Sequence, residues 1–478
     1  MTDRQQRSAT LAFVTGMLER YGIIDAERFR STMELAWPRI VTGFALMSKQ
    51  TADLAMVGMA VGTAGTAGLA FALGYWQLVS MLGLGLAGGT VTLVSQNFGG
   101  EEPGRASLAV TQSVLLGLGI ALPIAGLFLA VPDRLIGLLG ADPAAIRHGS
   151  AYLVFVAPAV VFEILSLIAS RTYTGVGDTF TEMMARAGGA VLNVVFSGVL
   201  IFGFGLGAAG AAIGTTLASG FVTLVLAWGM LGRSYGRLGM EPSPVPIALS
   251  GPWLEPTLFR QLIEIATPEI GRRLAQGVVV FPLLWIAASF GPVVVTALEV
   301  GRRVRDLINS VNWGLSLASS SLVGQHLGAG EEDEAGAYGA AIIRLSILLY
   351  VGVTVLVVVF ARPIAGMFVS EPAAITQAAV FVAVGAVSSI GFGIDGAAAG
   401  ALLGAGDTRW PFVASLLGRY AFALPAAALG LVTPLGVGGL YLALLLETSI
   451  PGGINYWLFR SGRWKAVSRR YRPSSDPG

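Results

Sequence analysis

The sequence predicts an all-α membrane protein of about twelve transmembrane helices, in two six-helix lobes related by a pseudo-two-fold axis along the membrane normal. Three observations predict it. Only 12% of the 478 residues are charged and 54% are hydrophobic, against roughly 25% charged in a soluble domain; so little polar surface cannot cover a large protein in water, and lipid is the implied solvent. About twelve stretches are apolar for the roughly 20 residues that a bilayer crossing needs. Motifs of the first half recur in the second at one spacing.

The spans lie near 34–60, 66–95, 108–131, 149–170, 184–205, 207–231, 262–290, 293–323, 338–361, 374–400, 410–432 and 434–459. Their connections are short except for the polar stretch 232–261, which contains Gly236-Arg-Leu-Gly-Met-Glu-Pro-Ser-Pro and reads as an interlobe linker. The lobes are then 34–231 and 262–460, followed by a basic tail, 461–478. Residues 1–33 read as an amphipathic segment lying against the membrane. Its apolar run from Leu11 to Leu18 is short and leads into Glu19-Arg20, unlike a signal peptide. Basic residues gather at Arg4, Arg7, Arg20, Arg28 and Arg30, at Arg233, Arg237 and Arg260 of the linker, and at Arg463, Lys465, Arg469, Arg470 and Arg472; the connections near 61–65, 206, 291 and 433 carry none. With an even number of spans this places both termini and the linker on the cytoplasmic side of a cell membrane.

Composition also excludes chemistries. There is no cysteine, so no disulfide or thiolate metal site, and only His148 and His326 are available for a histidine cluster. A formal net charge of +2 suggests no nucleic-acid partner. No cofactor or resident metal is expected, and a monomer in the lipid bilayer is. The 65 glycines suit helices that pack closely in lipid, with GxxxG spacings at Gly203/Gly207 and Gly210/Gly214.

Duplication is the strongest internal signal. Leu93-Val-Ser-Gln96-Asn-Phe-Gly99 returns as Leu322-Val-Gly-Gln325-His-Leu-Gly328, an offset of 229 (325 − 96). Gly175-Val-Gly-Asp178-Thr179 returns as Gly404-Ala-Gly-Asp407-Thr408 at the same offset (407 − 178 = 229), and Ala36-Trp-Pro38-Arg-Ile40 resembles Ala266-Thr-Pro268-Glu-Ile270 at 230 (268 − 38). Six spans per repeat make the halves parallel in the membrane, and a cleft between such repeats is where a solute would bind and be exposed to each side in turn. The GxGDT motif itself reads as a helix-end turn, with Gly for the turn and Asp as cap, rather than as a binding site.

At these residues the chain resembles the multidrug and toxic compound extrusion (MATE) family, of the multidrug/oligosaccharidyl-lipid/polysaccharide exporter superfamily. The carriers are Pro38 through Asp53-Leu-Ala-Met-Val-Gly58, Leu93–Gly99, Gly175–Thr179, Leu322–Gly330 and Gly404–Thr408, and the resemblance covers roughly 34–460. It implies a cation-coupled antiporter that exports small amphipathic, mostly cationic solutes in exchange for H⁺ or Na⁺. It implies that Asp53 binds the coupling ion, that Pro38 bends the first span, and that Asn193 belongs to the same polar cluster. Two positions depart from the pattern: Ser197 stands where a second aspartate is usual, and Lys49 where a tyrosine is. The coupling ion therefore stays open between H⁺ and Na⁺.

Ionisable residues at membrane depth are costly and point to function. Lys49 lies one turn before Asp53 on one helix face. The two form either an ion pair that holds helices together or a protonation switch, since desolvation raises a carboxylate pKa and an ammonium lowers it. Ser197, Thr215 and Thr216 are candidates to complete the cluster with Asn193. Glu163 and Asp395 are read as quasi-equivalent acids, one per lobe. The seventh and eighth spans hold Glu269, Arg272 and Arg273, then Glu299, Arg302, Arg303, Arg305 and Asp306, with Glu299–Arg303 and Arg302–Asp306 spaced for i,i+4 pairs. Asp395, Glu299, Arg303, Asp306 and Glu269 are thus a candidate second charge site, either a structural network or an arginine-lined site for an anionic or zwitterionic solute. Glu447 is isolated in the sequence.

The leading reading is secondary active efflux; no P-loop is present, so ATP is not used directly. A lipid-linked saccharide flippase of the same superfamily is the alternative within transport. An integral membrane enzyme is the alternative outside it, but no DDxxD-like run or HExxH motif supports it, and the chain reads as no enzyme.

Overall fold

The computed structural model describes residues 15–138, 143–236, 239–248, 253–368 and 372–471, and among them every regular element is a helix. Arg4, Arg7, Leu11, Arg237 and Arg472 lie outside the described residues. The expected spans appear as helices: α1 (Ala26–Gly99), α2 (Pro103–Ala130), a short α3 (Pro132–Gly137), α4 (Pro143–Gly175), α5 (Thr179–Gly198), α6 (Gly207–Met230), α7 (Pro256–Val278) continued by α8 (Val280–Ala288), α9 (Pro292–Gly328), α10 (Glu332–Val359), α11 (Ala361–Gly366), α12 (Pro372–Gly404), α13 (Arg409–Leu416) continued by α14 (Leu424–Val432), α15 (Gly438–Arg460) and α16 (Arg463–Ser468). Two π-helical turns interrupt the pattern, Val199–Gly203 after α5 and Leu417–Ala423 between α13 and α14.

The first two expected spans differ from the reading in one respect: no loop separates them, and the helical backbone runs through 61–65. The tract nevertheless turns back. Arg39 meets Glu182 and Val94 meets Gly175, both beside the corner that joins α4 to α5. Val61 faces Gly207 and Gly68 faces Gly149, each at the opposite end of its partner helix. The reversal therefore falls between 61 and 68, a stretch of small residues with no proline to end the helical hydrogen bonding. Pro38 sits inside α1, and the Thr42 hydroxyl donates to the Pro38 carbonyl at 2.9 Å.

Contacts divide the chain into two compact units. One is Pro38–Arg273; the other joins the residues up to Trp37 to those from Leu274 onward. In the first, helices approach through glycine. A Cβ on Gly214 would lie 2.8 Å from the Ser197 amide nitrogen, and one on Gly85 would lie 2.6 Å from Ile270 Cα. The Gly177 turn (φ 91°) lets Asp178 accept from the Thr181 amide at 2.9 Å and cap α5; Gly406 (φ 83°) makes the equivalent turn before Asp407. The repeated GxGD motif is thus a helix stop followed by a helix start.

In the second unit, the apolar side of the N-terminal segment is taken up by protein. Leu18, Ile24, Leu35 and Ala36 are buried in one cluster with Leu315, Leu322, Val323 and Leu402. Arg28 bridges Asp25 and Glu334, Lys465 reaches Asp333 at 2.9 Å, and Arg469 reaches Glu332 at 2.8 Å. The acidic first turn of α10 thus draws three basic side chains, where its helix dipole also favours negative charge.

Replacing Gly85 by alanine is expected to lower stability by about 1–3 kcal/mol, the cost of overpacking, because the new Cβ meets backbone rather than a movable side chain. Gly74→Ala, with nothing within 4 Å of the added atom, is expected to be neutral or slightly stabilising. Unfolding midpoints of the two purified variants in detergent check this; equal loss in both would contradict the close approach.

Candidate functional site

A carboxylate withdrawn from water needs donors, and α1 brings Asp53 against α5, which supplies them. Asp53 is buried. In the amide orientation that satisfies its neighbours, Asn193 of α5 donates to both Asp53 oxygens at 3.1 Å, and its carbonyl accepts from the Thr215 hydroxyl at 3.0 Å and the Thr215 amide at 3.1 Å. Tyr152 of α4, fully buried, neighbours both Asp53 and Thr215. Ser197 is buried one turn beyond Asn193, with its hydroxyl beside the Asp53 carboxylate. Four expected residues thus come together: Asp53, Asn193, Ser197 and Thr215. Thr216 does not join them; its hydroxyl donates to the Phe155 carbonyl at 2.8 Å.

Lys49 is half-buried, and among the described residues no salt bridge joins it to Asp53; its charge acts on the carboxylate at longer range. The site holds one acid, a bridging amide and hydroxyls. Such a set can take up and release one proton. Among the described residues no three His, Asp or Glu side chains are placed to hold a metal ion.

The second expected site is arranged differently. Glu299 and Arg303 are exposed and Asp306 is half-buried. Among the described residues neither i,i+4 pair forms: Glu299 approaches Arg302 instead, at 4.0 Å. The buried ion pairs of this region belong instead to Glu447, the acid that stood alone in the sequence. It is buried in α15, 3.2 Å from Arg305 and 3.7 Å from Arg419. Arg305 therefore turns inward, where its guanidinium also lies over Phe392 at 5.1 Å from the ring centre. Arg419 is held by the Ser415 hydroxyl, which accepts from it at 2.6 Å.

Glu163 and Asp395 have unlike surroundings. Asp395 accepts from the Asn455 amide at 2.6 Å, whereas Glu163 lies 3.9 Å from Arg186. Glu269, in the same unit as Glu163, is buried beneath Arg272 at 3.2 Å and Arg273 at 2.8 Å. The sequence reading passed over Tyr152, Glu182, Arg39, Arg171, Arg186 and Arg419. Arg419 carried a usable signal, being a charge well inside a predicted span. Arg39, Glu182 and Arg171 lie near span ends, where a charge is ordinary.

Comparison with known proteins follows this geometry. The MatE family profile matches the chain twice, over residues 38–199 and 268–429. A protein of Rhodopseudomonas palustris named probable multidrug resistance protein NorM is 27% identical over 440 residues, 90% of each chain. A Shewanella oneidensis protein named FAD transporter is 23% identical over 92% of this chain and 96% of its own. Among solved structures, a MATE protein in the straight conformation superposes with a TM-score of 0.83 at 17% identity, covering 92% of this chain and 97% of its own. A transporter from Pyrococcus furiosus gives 0.82 at 18%, covering 92% and 96%. These likenesses show the fold: two lobes and twelve helices.

Glu447→Leu is expected to cost about 3–5 kcal/mol, the penalty for leaving buried charge without its partner, since Arg305 and Arg419 both depend on it. Glu299→Leu, at an exposed pair, is expected to cost less than about 1 kcal/mol. Chemical unfolding of both variants in detergent tests the contrast, and comparable costs would remove Glu447 from its central place.

Proposed function

The chain belongs to the MatE family, and from that premise we propose that it is a proton-coupled exporter of amphipathic organic solutes in which Asp53 carries the proton. That it is a multi-pass membrane transporter of the multidrug type, and no enzyme, follows from the family. The coupling ion, the cargo and the orientation in the membrane are the proposal.

The observation that carries it is the Asn193 amide, which donates to both oxygens of a buried Asp53. Ionised, the carboxylate is held by that amide; protonated, it must turn one oxygen into a donor and give up part of the contact. Protonation therefore changes how α1 is held to α5, a local event able to bias a two-state transporter. A bare cation would need several oxygens around it. Here Ser197 replaces the second aspartate of the family pattern, which leaves one carboxylate in the cluster. The half-buried Lys49 supplies a tethered positive charge in the same region, which favours H⁺ over Na⁺. We take the two repeats, 34–231 and 262–460, as the moving lobes and the basic termini and linker as cytoplasmic.

Purified protein in proteoliposomes, loaded with ethidium and given H⁺ and Na⁺ gradients separately, tests the reading. The H⁺ gradient is expected to drive ethidium movement and the Na⁺ gradient alone is not. Asp53→Asn is expected to lower the proton-driven rate at least about tenfold, equivalent to 1.4 kcal/mol. Sodium-driven transport that survives in that variant would overturn the assignment.

Lys49→Ala is expected to move the pH of half-maximal transport to more alkaline values, because the carboxylate loses a positive charge that favours its ionised form. An unchanged pH profile would remove Lys49 from the coupling site.

A further inference from the structure

The unit Pro38–Arg273 contains a second ionic centre that Asp53 does not touch. Its hub is Glu182, buried to 1% exposure. One Glu182 oxygen lies 3.3 Å from Arg39, 3.6 Å from Arg171 and 3.9 Å from Arg186, and the other accepts from the Thr174 hydroxyl at 3.0 Å. Arg186 also donates to Ser170 at 2.8 Å and Ser166 at 3.2 Å. Arg273 and Glu163 form a partly exposed rim, with side-chain exposures of 30% and 17%, and the Arg273 charge is felt by both Arg39 and Arg171.

Among the described residues Arg39, Arg171 and Arg186 face Glu182 and Glu163, three buried or half-buried guanidiniums against two carboxylates. Arg39 and Arg171 are each more than nine-tenths buried; among the described residues Arg39 Nε has no hydrogen-bond partner, and Arg171 Nη1 has the 3.6 Å approach to Glu182 in place of a hydrogen bond. Buried guanidinium groups in excess, with the Arg39 Nε–H lacking an acceptor, call for a further anion. Their planar forks suit a carboxylate or phosphate. Fourteen residues of helix separate Arg39 from Asp53, roughly 21 Å at 1.5 Å per residue, so this centre is not part of the proton site.

We propose that the Arg39–Arg171–Arg186 cluster binds an oxyanionic group, a carboxylate or phosphate, presented by a solute or by a lipid headgroup. As a cargo site it rests on the exporter reading above and narrows it to solutes that carry an acid; as a binding site it does not need that reading.

The test is fluorescence anisotropy of 5-carboxyfluorescein with the purified full-length chain in neutral detergent, with ethidium as cationic comparator. Arg171→Gln is expected to weaken carboxyfluorescein binding at least about tenfold, equivalent to 1.4 kcal/mol, and to weaken ethidium binding far less; Arg171→Lys is expected to restore part of the loss. Displacement by inorganic phosphate assigns the site to soluble acids. Displacement by phosphatidylglycerol micelles but not by phosphate assigns it to a headgroup, and either keeps the oxyanion site. No binding to the folded wild type, or equal loss for both dyes in Arg171→Gln, overturns it. If Arg171→Gln does not fold, the wild type decides: phosphate must raise its unfolding midpoint above that in chloride of equal ionic strength, and an equal midpoint counts against the site. In proteoliposomes, carboxyfluorescein that binds while neither dye moves under any gradient sinks the exporter reading and leaves the site standing.

Discussion

The free energy of a charge out of water governs this molecule. A carboxylate or guanidinium at membrane depth is tolerated only where protein supplies what water would have supplied. Each deep acid here has its own answer. Asp53 is held by an amide, Asp395 by Asn455, Glu182 by a ring of arginines, and Glu447 by Arg305 and Arg419. The answers differ in what they permit. An acid held by neutral groups can change its protonation state without stranding a charge. An acid beneath two or three guanidiniums cannot, because its neutral form would leave them exposed to one another. On the proposed reading, proton exchange falls to Asp53 rather than to an acid ringed by guanidiniums.

Close approach is the second requirement, and glycine meets it. The Asn193–Asp53 contact needs α5 to lie against α1 and α6 at once. Gly214 makes this possible by giving the Ser197 backbone room that any side chain would fill. Apolar side chains cannot draw helices together strongly in lipid, where the solvent is equally apolar. Tight backbone contact and interhelical hydrogen bonds remain. The polar cluster and the glycines are thus two parts of one packing solution.

Much of this was legible in the sequence. Hydropathy marked the spans because their length is set by the bilayer, and duplicated motifs at 229 residues marked the repeat. Asp53, Asn193 and the Ser197 position are legible because a family pattern connects positions far apart in the chain, and Thr215 as a polar residue in the sixth span. What could not be read was partnership without such a pattern. Glu447 stood alone because Arg305 lies 142 residues away, and nothing in local spacing links them. Helical periodicity likewise describes only neighbours on one helix: the expected Glu299–Arg303 pair does not form, while Arg305 on that helix pairs with a glutamate on another. The connection near 61–65 was legible, but not that helical backbone runs through it, because small residues mark neither a helix end nor its continuation.

The π-helical turn at Leu417–Ala423 contains Arg419, and this has a bearing on how the sequence can vary. Such a turn accommodates one residue more than an α-helical turn. Removing any one of those residues would return the helix to ordinary winding and rotate everything on one side of it by about 100° relative to the other. Arg419 could then no longer face α15 while Tyr420 kept its bond to the Ala275 carbonyl. Chain length in this segment is therefore constrained more tightly than residue identity: substitutions can be absorbed there, whereas a one-codon deletion would dismantle the contact at a distance.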